Sequence, residues 1–153
     1  YRRTRAVQRS GRGWIGPSEA TRPSMLQAEA DASGPSRWWS FDDLRRATTE
    51  TAHTDLIIDL VALDYLFVEN VAIANTDDAF RLLRVVDALY LHDEAPTLYF
   101  TAEQPPGEWF DPEQHAGIAR AVAEKFDRTV SRLHALCEVH WAVREGDSSG
   151  QIQ

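Results

Sequence analysis

The chain has 153 residues, of which 43% are apolar and 26% are charged, and its formal net charge is −8. This length and composition predict one globular domain with a hydrophobic core, and an acidic chain disfavours nonspecific binding to nucleic acid. No apolar run approaches the ~18 residues that a membrane-spanning helix needs. The single cysteine, Cys137, excludes an internal disulfide and favours a reducing, cytoplasmic location. The first residue is Tyr1 rather than Met, which indicates a fragment or a processed product.

The N-terminal segment differs from the rest of the chain in charge and composition. Residues 1–22 hold six arginines and one glutamate, a net charge of +5, whereas the remaining residues carry −13. Residues 10–36 are rich in Gly, Pro and Ser, with room for a short helix near Met25–Ala30. We therefore predict that residues 1–36 are a basic linker or tail. Nucleic acid is an unlikely partner except through this segment, which is equally well explained as a solvated linker.

The glycines of this segment match one nucleotide-binding motif by letter only. Gly11-x-Gly13-x-x-Gly16 has the spacing of a dinucleotide fingerprint. The sequence shows no clear strand before it, and Pro17 follows at once, so the context that the motif needs is absent.

Residues 37–145 show alternating strand and helix patterns and are predicted to be one α/β domain. Residues 146–153 are predicted to be a disordered tail. Two helix starts carry capping residues: Ser40 with Asp43 forms a capping box, and Asn75 or Thr76 caps a later helix. Thr54 or Asp55 is predicted to cap the helix between them. The predicted elements are a strand at 37–41, a helix at 41–47, a helix at 56–63, a strand at 64–69, a helix at 76–91, a strand at 95–102, a helix at 113–125 and a helix at 128–144.

This alternation predicts the fold class. Strands that alternate with helices form a mainly parallel sheet with flanking helices. The strands near 65–69 and 97–101, joined by the helix at 76–91, should form one right-handed βαβ unit. We therefore predict an α/β fold with a small, mainly parallel sheet.

Five segments in this order resemble the C-terminal part of the ZapE-type AAA+ ATPases, P-loop NTPases of bacterial cell division and mitochondrial quality control. The aromatic strand Trp38-Trp39-Ser40-Phe41 leads into Asp42-Asp43-Leu44, and the segment Arg128-Thr129-Val130-Ser131-Arg132-Leu133 is similar to the family's closing Arg-Thr-x-Ser-Arg-Leu motif. The other three matching segments are Asp55–Val71, Arg81–Tyr90 and Leu98–Phe110. The sequence departs from the family's pattern at Arg45, Leu56, Ala72, Leu91 and Ala135-Leu136.

The resemblance implies ATP hydrolysis with magnesium in the complete protein, self-association, and protein clients. It places the family's ATP-binding half before the matching region. No Gly-x-x-x-x-Gly-Lys-[Ser/Thr] loop occurs in the chain, and its only lysine is Lys125. Such a loop cradles the phosphates and its lysine reaches them. We therefore expect no cofactor and no catalytic residue in this chain alone, and no ATP hydrolysis by it.

Arg128, Ser131 and Arg132 are the candidate functional residues that the closing motif implies. Two arginines four positions apart share one face of a helix and repel each other unless an anion or a carboxylate lies between them. They could contact a phosphate or a neighbouring subunit, since a guanidinium suits such oxygens. The alternative is an ion pair within the domain, with Asp87 or Glu103 as the partner.

A second candidate site is a degenerate copy of the acidic Walker B position at strand ends. Glu69 and Asn70 follow the apolar strand 64–69, and Glu103 follows the strand 95–102. Ligands of α/β folds bind at the carboxyl ends of the strands. These residues also suggest a weaker alternative, a small hydrolase.

Other residue patterns favour structural roles. His134-x-x-Cys137-x-x-His140 spreads too widely over a helix for one tetrahedral ion, so no metal site is predicted. Trp109-Phe110 is either a docking turn or part of the core. A rival hypothesis to the ATPase is a non-enzymatic acidic domain that binds a basic protein partner.

Overall fold

The structure is a computed structural model that describes residues 12–110 and 120–141. These residues form a five-stranded parallel sheet flanked by helices. The strands are β1 (Gly13–Gly16), β2 (Ser36–Ser40), β3 (Tyr65–Val71), β4 (Thr97–Ala102) and β5 (Cys137–Val139). The helices are α1 (Ser18–Asp31), α2 (Phe41–Glu50), α3 (His53–Val61), α4 (Thr76–Tyr90) and α5 (Arg120–Leu136), with a 3₁₀ turn at Pro106–Glu108.

The strand order is β2-β3-β4-β1-β5, and every neighbouring pair is parallel. The predicted α/β fold with a small, mainly parallel sheet is therefore confirmed. β3 and β4, which α4 joins, are neighbours in the sheet, as the predicted βαβ unit requires. The first strand lies inside the sheet, between β4 and β5.

The two faces of the sheet differ in what covers them. Ile15, Leu66, Val68, Leu98 and Phe100 point to the face where α2 to α5 build the main core. The opposite face carries an aromatic row, in which Trp38, Phe67 and Tyr99 are aligned across β2, β3 and β4. α1 lies on that second face, where Met25 and Thr21 are fully buried. Apolar burial on both faces is typical of parallel sheets.

Two of the predicted helix starts have the geometry that the sequence indicates. The Ser40 side chain accepts a hydrogen bond from the Asp43 N–H, and the Asp43 carboxylate accepts one from the Ser40 N–H, which completes the capping box. The Asn75 side chain accepts from the Asp78 N–H at the start of α4. α3 differs, because it begins at His53 after Ala52, which offers no capping side chain. The prediction of Thr54 or Asp55 as its cap is therefore wrong.

The largest difference from the predicted elements concerns the N-terminal segment. Gly13–Gly16 is a strand inside the sheet and Ser18–Asp31 is a 14-residue helix, so this part of the predicted linker at 1–36 is ordered structure. The Gly/Pro/Ser composition indicated a linker, but these residues have structural reasons. Gly13 approaches β4 closely, and Pro17 lies just before a helix, where a proline is tolerated. Residues 1–11 and the predicted tail at 146–153 lie outside the described residues.

The C-terminal elements also differ from the predicted ones. α5 runs unbroken from Arg120 to Leu136, whereas the sequence predicted two helices that meet between 125 and 128. It ends at Leu136 rather than near Arg144, and Cys137–Val139 pairs with β1 as an edge strand. Arg128 therefore lies inside a helix and does not begin one. Within residues 12–110 and 120–141, no helix combines the length and apolar character of a membrane span.

Candidate functional site

The carboxyl end of β1 is the point where the chain's connections diverge. From β1 the chain crosses to β2 at one edge of the sheet, and from β4 it passes beyond β1 to β5 at the other edge. Ligands of open parallel sheets bind at such a switch point, outside the carboxyl ends of the strands. α1 starts two residues after β1, and Glu69 of β3 and Thr101 of β4 lie at the same edge. The topology therefore places the candidate site between β1, β3 and β4.

The segment from Gly16 to Pro23 occupies the position of a phosphate-binding loop. A P-loop is a strand, a Gly-x-x-x-x-Gly-Lys-[Ser/Thr] segment and a helix. Counted from Gly16, the second glycine of that spacing is Thr21, the lysine is Arg22 and the hydroxyl residue is Pro23. The motif's own letters are absent from this segment, so the sequence alone did not reveal it. A strand and a helix in the order of a P-loop unit thus lie in this chain, before the matching region, but without the motif's own residues.

Arg22 forms an ion pair with Glu69 across the site. The guanidinium Nη1 donates to the Glu69 carboxylate, and the Arg22 side chain also lies 5.6 Å from the centre of the Trp38 ring. The Glu69 side chain is 15% exposed and that of Arg22 is 52% exposed. A cation at the lysine position of the loop is therefore joined to an acid at the end of β3. Glu69, predicted from its place at a strand end, belongs to this site, and Arg22 is its unpredicted partner.

Thr21 fills the space beside Gly16. The Thr21 Oγ1 lies 2.3 Å, and the Trp14 Nε1 3.3 Å, from the position that a Cβ on Gly16 would take. Both polar atoms are buried and have no hydrogen-bond partner within the described part of the chain. A glycine at position 21 would leave this space open, which is how the glycines of such loops allow backbone and phosphate to approach. The loop of this chain is therefore closed by a side chain.

The residues present do not fit ATP and magnesium. A P-loop ATPase holds magnesium with the loop hydroxyl and an acid, and its lysine cradles the β- and γ-phosphates. Pro23 has no side-chain oxygen, and Arg22 is engaged by Glu69. Asn70 follows Glu69 where the acidic pair would continue, and an amide carries no charge to balance a cation.

Asn70 and Glu103 lie together at the neighbouring strand ends, as predicted for residues that follow parallel strands. Both line a cavity of about 300 Å³ with Glu108 and Trp109. Asn70 has a φ of 61°, a left-handed backbone conformation that Asn tolerates better than most residues. Its N–H donates to Thr101 Oγ1 at 2.8 Å, which fixes the bulge between β3 and β4. Glu69 does not line this cavity, so the predicted strand-end residues divide between two places.

The predicted arginine site lies on the other side of the domain, where α4 and α5 pack. Arg132 Nη1 lies 3.1 Å from Asp87 Oδ1, and Arg128 Nη2 lies 4.0 Å from Asp87 Oδ2. Thr129 Oγ1 donates to the same carboxylate at 3.0 Å, and the Arg132 guanidinium stacks 4.9 Å from the Tyr90 ring centre. Asp87 therefore supplies the negative charge between the arginines, as the intramolecular alternative required, whereas Glu103 pairs with neither. Ser131 is exposed. Anion or subunit contact by Arg128, Ser131 and Arg132 stays a prediction.

Arg132→Ala should lower the free energy of unfolding by about 1 kcal/mol, whereas Arg128→Ala should change it by less than ~0.5 kcal/mol. The Arg132 side chain is 20% exposed and contacts both Asp87 and Tyr90, whereas that of Arg128 is 52% exposed and lies at the distance limit of an ion pair. Urea denaturation of both variants measures the difference. Equal effects would show that the closer contacts of Arg132 add nothing.

The remaining candidates have structural roles. Burial raises the pKa of the Cys137 thiol, and its Sγ contacts the Leu98 carbonyl oxygen at 3.4 Å, so it is not a poised nucleophile. His134 is exposed on α5, whereas the His140 ring stacks on Trp14 with 3.7 Å between centroids, so the His-Cys-His letters do not share one helix face. Trp109 and Phe110 are buried at 4% and 3% exposure, which identifies them as core.

Solved structures of DNA replication initiators resemble this fold, which is similar to that of the AAA+ P-loop ATPase domains in DnaA. A replication initiator DnaA bound to AMPPCP and single-stranded DNA matches with a TM-score of 0.56 and 13% identity over 89% of this chain and 41% of that one. A DNA replication initiation factor matches with a TM-score of 0.56 and 13% identity, over 92% and 43%. DnaA from Aquifex aeolicus with AMPPCP matches with a TM-score of 0.53 and 16% identity, over 91% and 42%.

The chain thus spans less than half the length of these structures, and at such identities the likeness shows the fold alone. No family model and no curated protein matches the sequence.

Proposed function

We propose that this chain is an AAA+-type domain that does not hydrolyse ATP and that acts as a protein-binding module. The loop residues carry the proposal, because Pro23 offers no hydroxyl to a magnesium ion and Thr21 fills the space beside Gly16. An ion pair also joins Arg22, at the lysine position of the phosphate loop, to Glu69 at the end of β3. These two positions serve the phosphates and the metal ion in a working P-loop enzyme.

Geometry rather than the strength of the ion pair opposes hydrolysis. Arg22 is half exposed, and an ion pair of that kind contributes only about 0–1 kcal/mol, which a triphosphate could overcome. A magnesium ion would still find no hydroxyl at Pro23, and Thr21 occupies the space beside Gly16. The phosphates would therefore lack both the metal ion and the close backbone approach that phosphoryl transfer needs.

Charge supports a basic protein partner. Residues 23–153 carry a net charge of −13, which attracts positively charged surfaces and repels nucleic acid. This proposal combines the non-enzymatic interaction domain with the AAA+-type fold. Contact with nucleic acid through residues 1–22, whose net charge is +5, is the remaining route to DNA.

A ZapE-type role, in cell division or protein quality control, is the more specific version of the proposal. Its support is the ordered set of motif matches from Trp38 to Leu136. The complete protein would then self-associate and act on protein clients, with a second, intact nucleotide site if ATP is hydrolysed. Cytoplasmic location belongs to the same proposal.

The 153-residue chain should bind no ATP in the presence of magnesium, with a dissociation constant weaker than about 1 mM by calorimetry, and should release no phosphate above buffer. The physical reason is the substituted loop. Micromolar ATP affinity or measurable turnover would overturn the proposal.

A matched variant tests the stated cause. Thr21→Gly, Arg22→Lys and Pro23→Thr together restore the loop spacing Gly-x-x-x-x-Gly-Lys-Thr, and this triple variant should gain ATP affinity of at least about ten-fold, a free-energy gain of ~1.4 kcal/mol. Circular dichroism checks that α1 survives. A folded triple variant that still binds no ATP would show that these substitutions are not what prevents binding.

A further inference from the structure

A second cavity, on the opposite side of the sheet from α1, is lined by basic and hydroxyl side chains. It lies where α2 ends, α3 begins and α4 passes, and its volume is about 230 Å³. Its lining residues are Thr48, Thr51, Ala52, His53, Leu56, Arg81, Arg84 and Val85. None of them is a carboxylate, in a chain with 24 acidic residues.

The two arginines of this cavity form no ion pair with a carboxylate of residues 12–110 or 120–141. Arg81 Nη1 donates to the Thr48 and Thr49 hydroxyl oxygens at 3.2 and 2.7 Å. Arg84 is exposed and forms no ion pair with a described residue. Five other arginines do pair with carboxylates: Arg22, Arg45, Arg46, Arg128 and Arg132. Arg81 also lines a neighbouring cavity with Asp42, Glu50 and Asp78, so Arg84 is the cation of this cavity that is open to a ligand.

The start of α3 adds to that positive charge. The first turn of a helix carries N–H groups without helical partners and the positive end of the helix dipole. At α3 no side chain caps these groups. His53 is the first residue of the helix and lines the cavity with Arg84. The pKa of His53 is lowered by its burial and by the charge of Arg84.

We propose that this cavity binds the phosphate group of a small ligand, either inorganic phosphate or a phosphate monoester. Arg84 and Arg81 supply guanidinium donors, which suit phosphate oxygens, and the ring of His53 and the first turn of α3 complete the donors. The volume lies below the ~300–1,000 Å³ of cavities that hold drug-sized ligands, so the site takes a phosphate group rather than a whole nucleotide. The site is separate from the β1–α1 junction, so the proposal does not depend on the loss of ATP hydrolysis.

Titration of the full chain with inorganic phosphate and with phenyl phosphate, followed by the NMR signals of the His53 ring, tests the site. We expect saturable shifts and a higher pKa of His53 with phosphate bound, because the anion stabilises the protonated ring. Arg84→Gln should weaken binding by at least about ten-fold. A phenyl phosphate that binds better than inorganic phosphate would indicate a monoester ligand, and the reverse would indicate free phosphate.

Arg120→Gln is the matched control, since Arg120 is also exposed, forms no ion pair with a described residue and lies outside the cavity. It removes the same charge, so it should leave the affinity nearly unchanged. Equal losses of phosphate affinity in Arg84→Gln and Arg120→Gln would show that general charge attraction explains the binding, and this result would overturn the proposal. Arg84-dependent binding of a single-stranded oligonucleotide, with no binding of either small phosphate, would also overturn it in favour of a nucleic-acid surface. Circular dichroism of both variants confirms that each one folds.

Discussion

Gly13→Ala is expected to lower the free energy of unfolding by about 3 kcal/mol, the cost of overpacking a well-packed interior. A Cβ on Gly13 would lie 1.8 Å from the Leu98 carbonyl oxygen and 2.8 Å from its carbonyl carbon. Both atoms are backbone, so no side-chain rotation relieves the contact. β1 and β4 would have to separate, and β1 is held on its other side by β5.

Gly107→Ala is the control for this prediction, because a Cβ at Gly107 would meet nothing within 4 Å. It should leave stability unchanged or raise it slightly, by up to about 1 kcal/mol, through the reduced entropy of the unfolded chain. Denaturant unfolding of both variants against the parent chain gives the two free energies. If Gly13→Ala proved as harmless as Gly107→Ala, Gly13–Gly16 would not be a strand inside the sheet, and the P-loop position would lose its basis.

The elements that the sequence predicted well are those whose signals are local. The capping box of Ser40 and Asp43 and the cap at Asn75 act over three residues, so composition and spacing contain them fully. The strands of residues 65–71 and 97–102 are short, apolar and separated by a strongly amphipathic helix. These elements are enough to predict a parallel α/β fold.

β1 could not be predicted from local signals, because the contacts that explain its glycines are made by residues elsewhere in the chain. Gly13 and Gly16 weaken the intrinsic preference of this segment for a strand. The space beside them is taken by the Leu98 backbone and by the Thr21 side chain. A close approach between strands explains glycine at position 13, and only the fold reveals it. β5 was similarly hidden, since Cys137–Val139 continues a helical pattern but pairs with Gly13–Ile15 at the sheet edge.

The candidate sites show the same difference between local signals and contacts of residues that are distant in sequence. The sequence identified the two arginines of α5 because helix spacing brings them together locally, whereas Asp87, named as one of two possible partners, lies on α4 and contacts them only because the two helices pack together. Glu69 was identified by its place at a strand end. Its partner Arg22 is 47 positions away and belonged to a presumed linker, so no local pattern could join them. The basic cavity needs three helices at once and has no sequence signature.

Asp78→Ala is expected to lower the free energy of unfolding by about 2 kcal/mol, through the loss of charge-assisted hydrogen bonds in a buried position. Asp78 is 3% exposed. Its carboxylate accepts from the Ala74 N–H at 3.2 Å and from the Arg45 Nη1 at 3.3 Å, and so joins the start of α4 to α2. This loss of unfolding free energy is smaller than for a fully buried ion pair, because the Arg45 side chain is 39% exposed and keeps Asp42 as a second partner.

Asp77→Ala is the matched control, because Asp77 is an exposed carboxylate in the same helical turn. Both variants remove one negative charge from the positive end of the α4 dipole, an effect of about 0.3–1 kcal/mol that cancels between them. The remaining difference measures the contacts of Asp78. Arg45→Ala combined with Asp78→Ala should cost less than the two single changes added together, because removing Arg45 alone leaves Asp78 buried without its cation. Strict additivity would mean that α2 and α4 are held together by their apolar contacts and not by this pair.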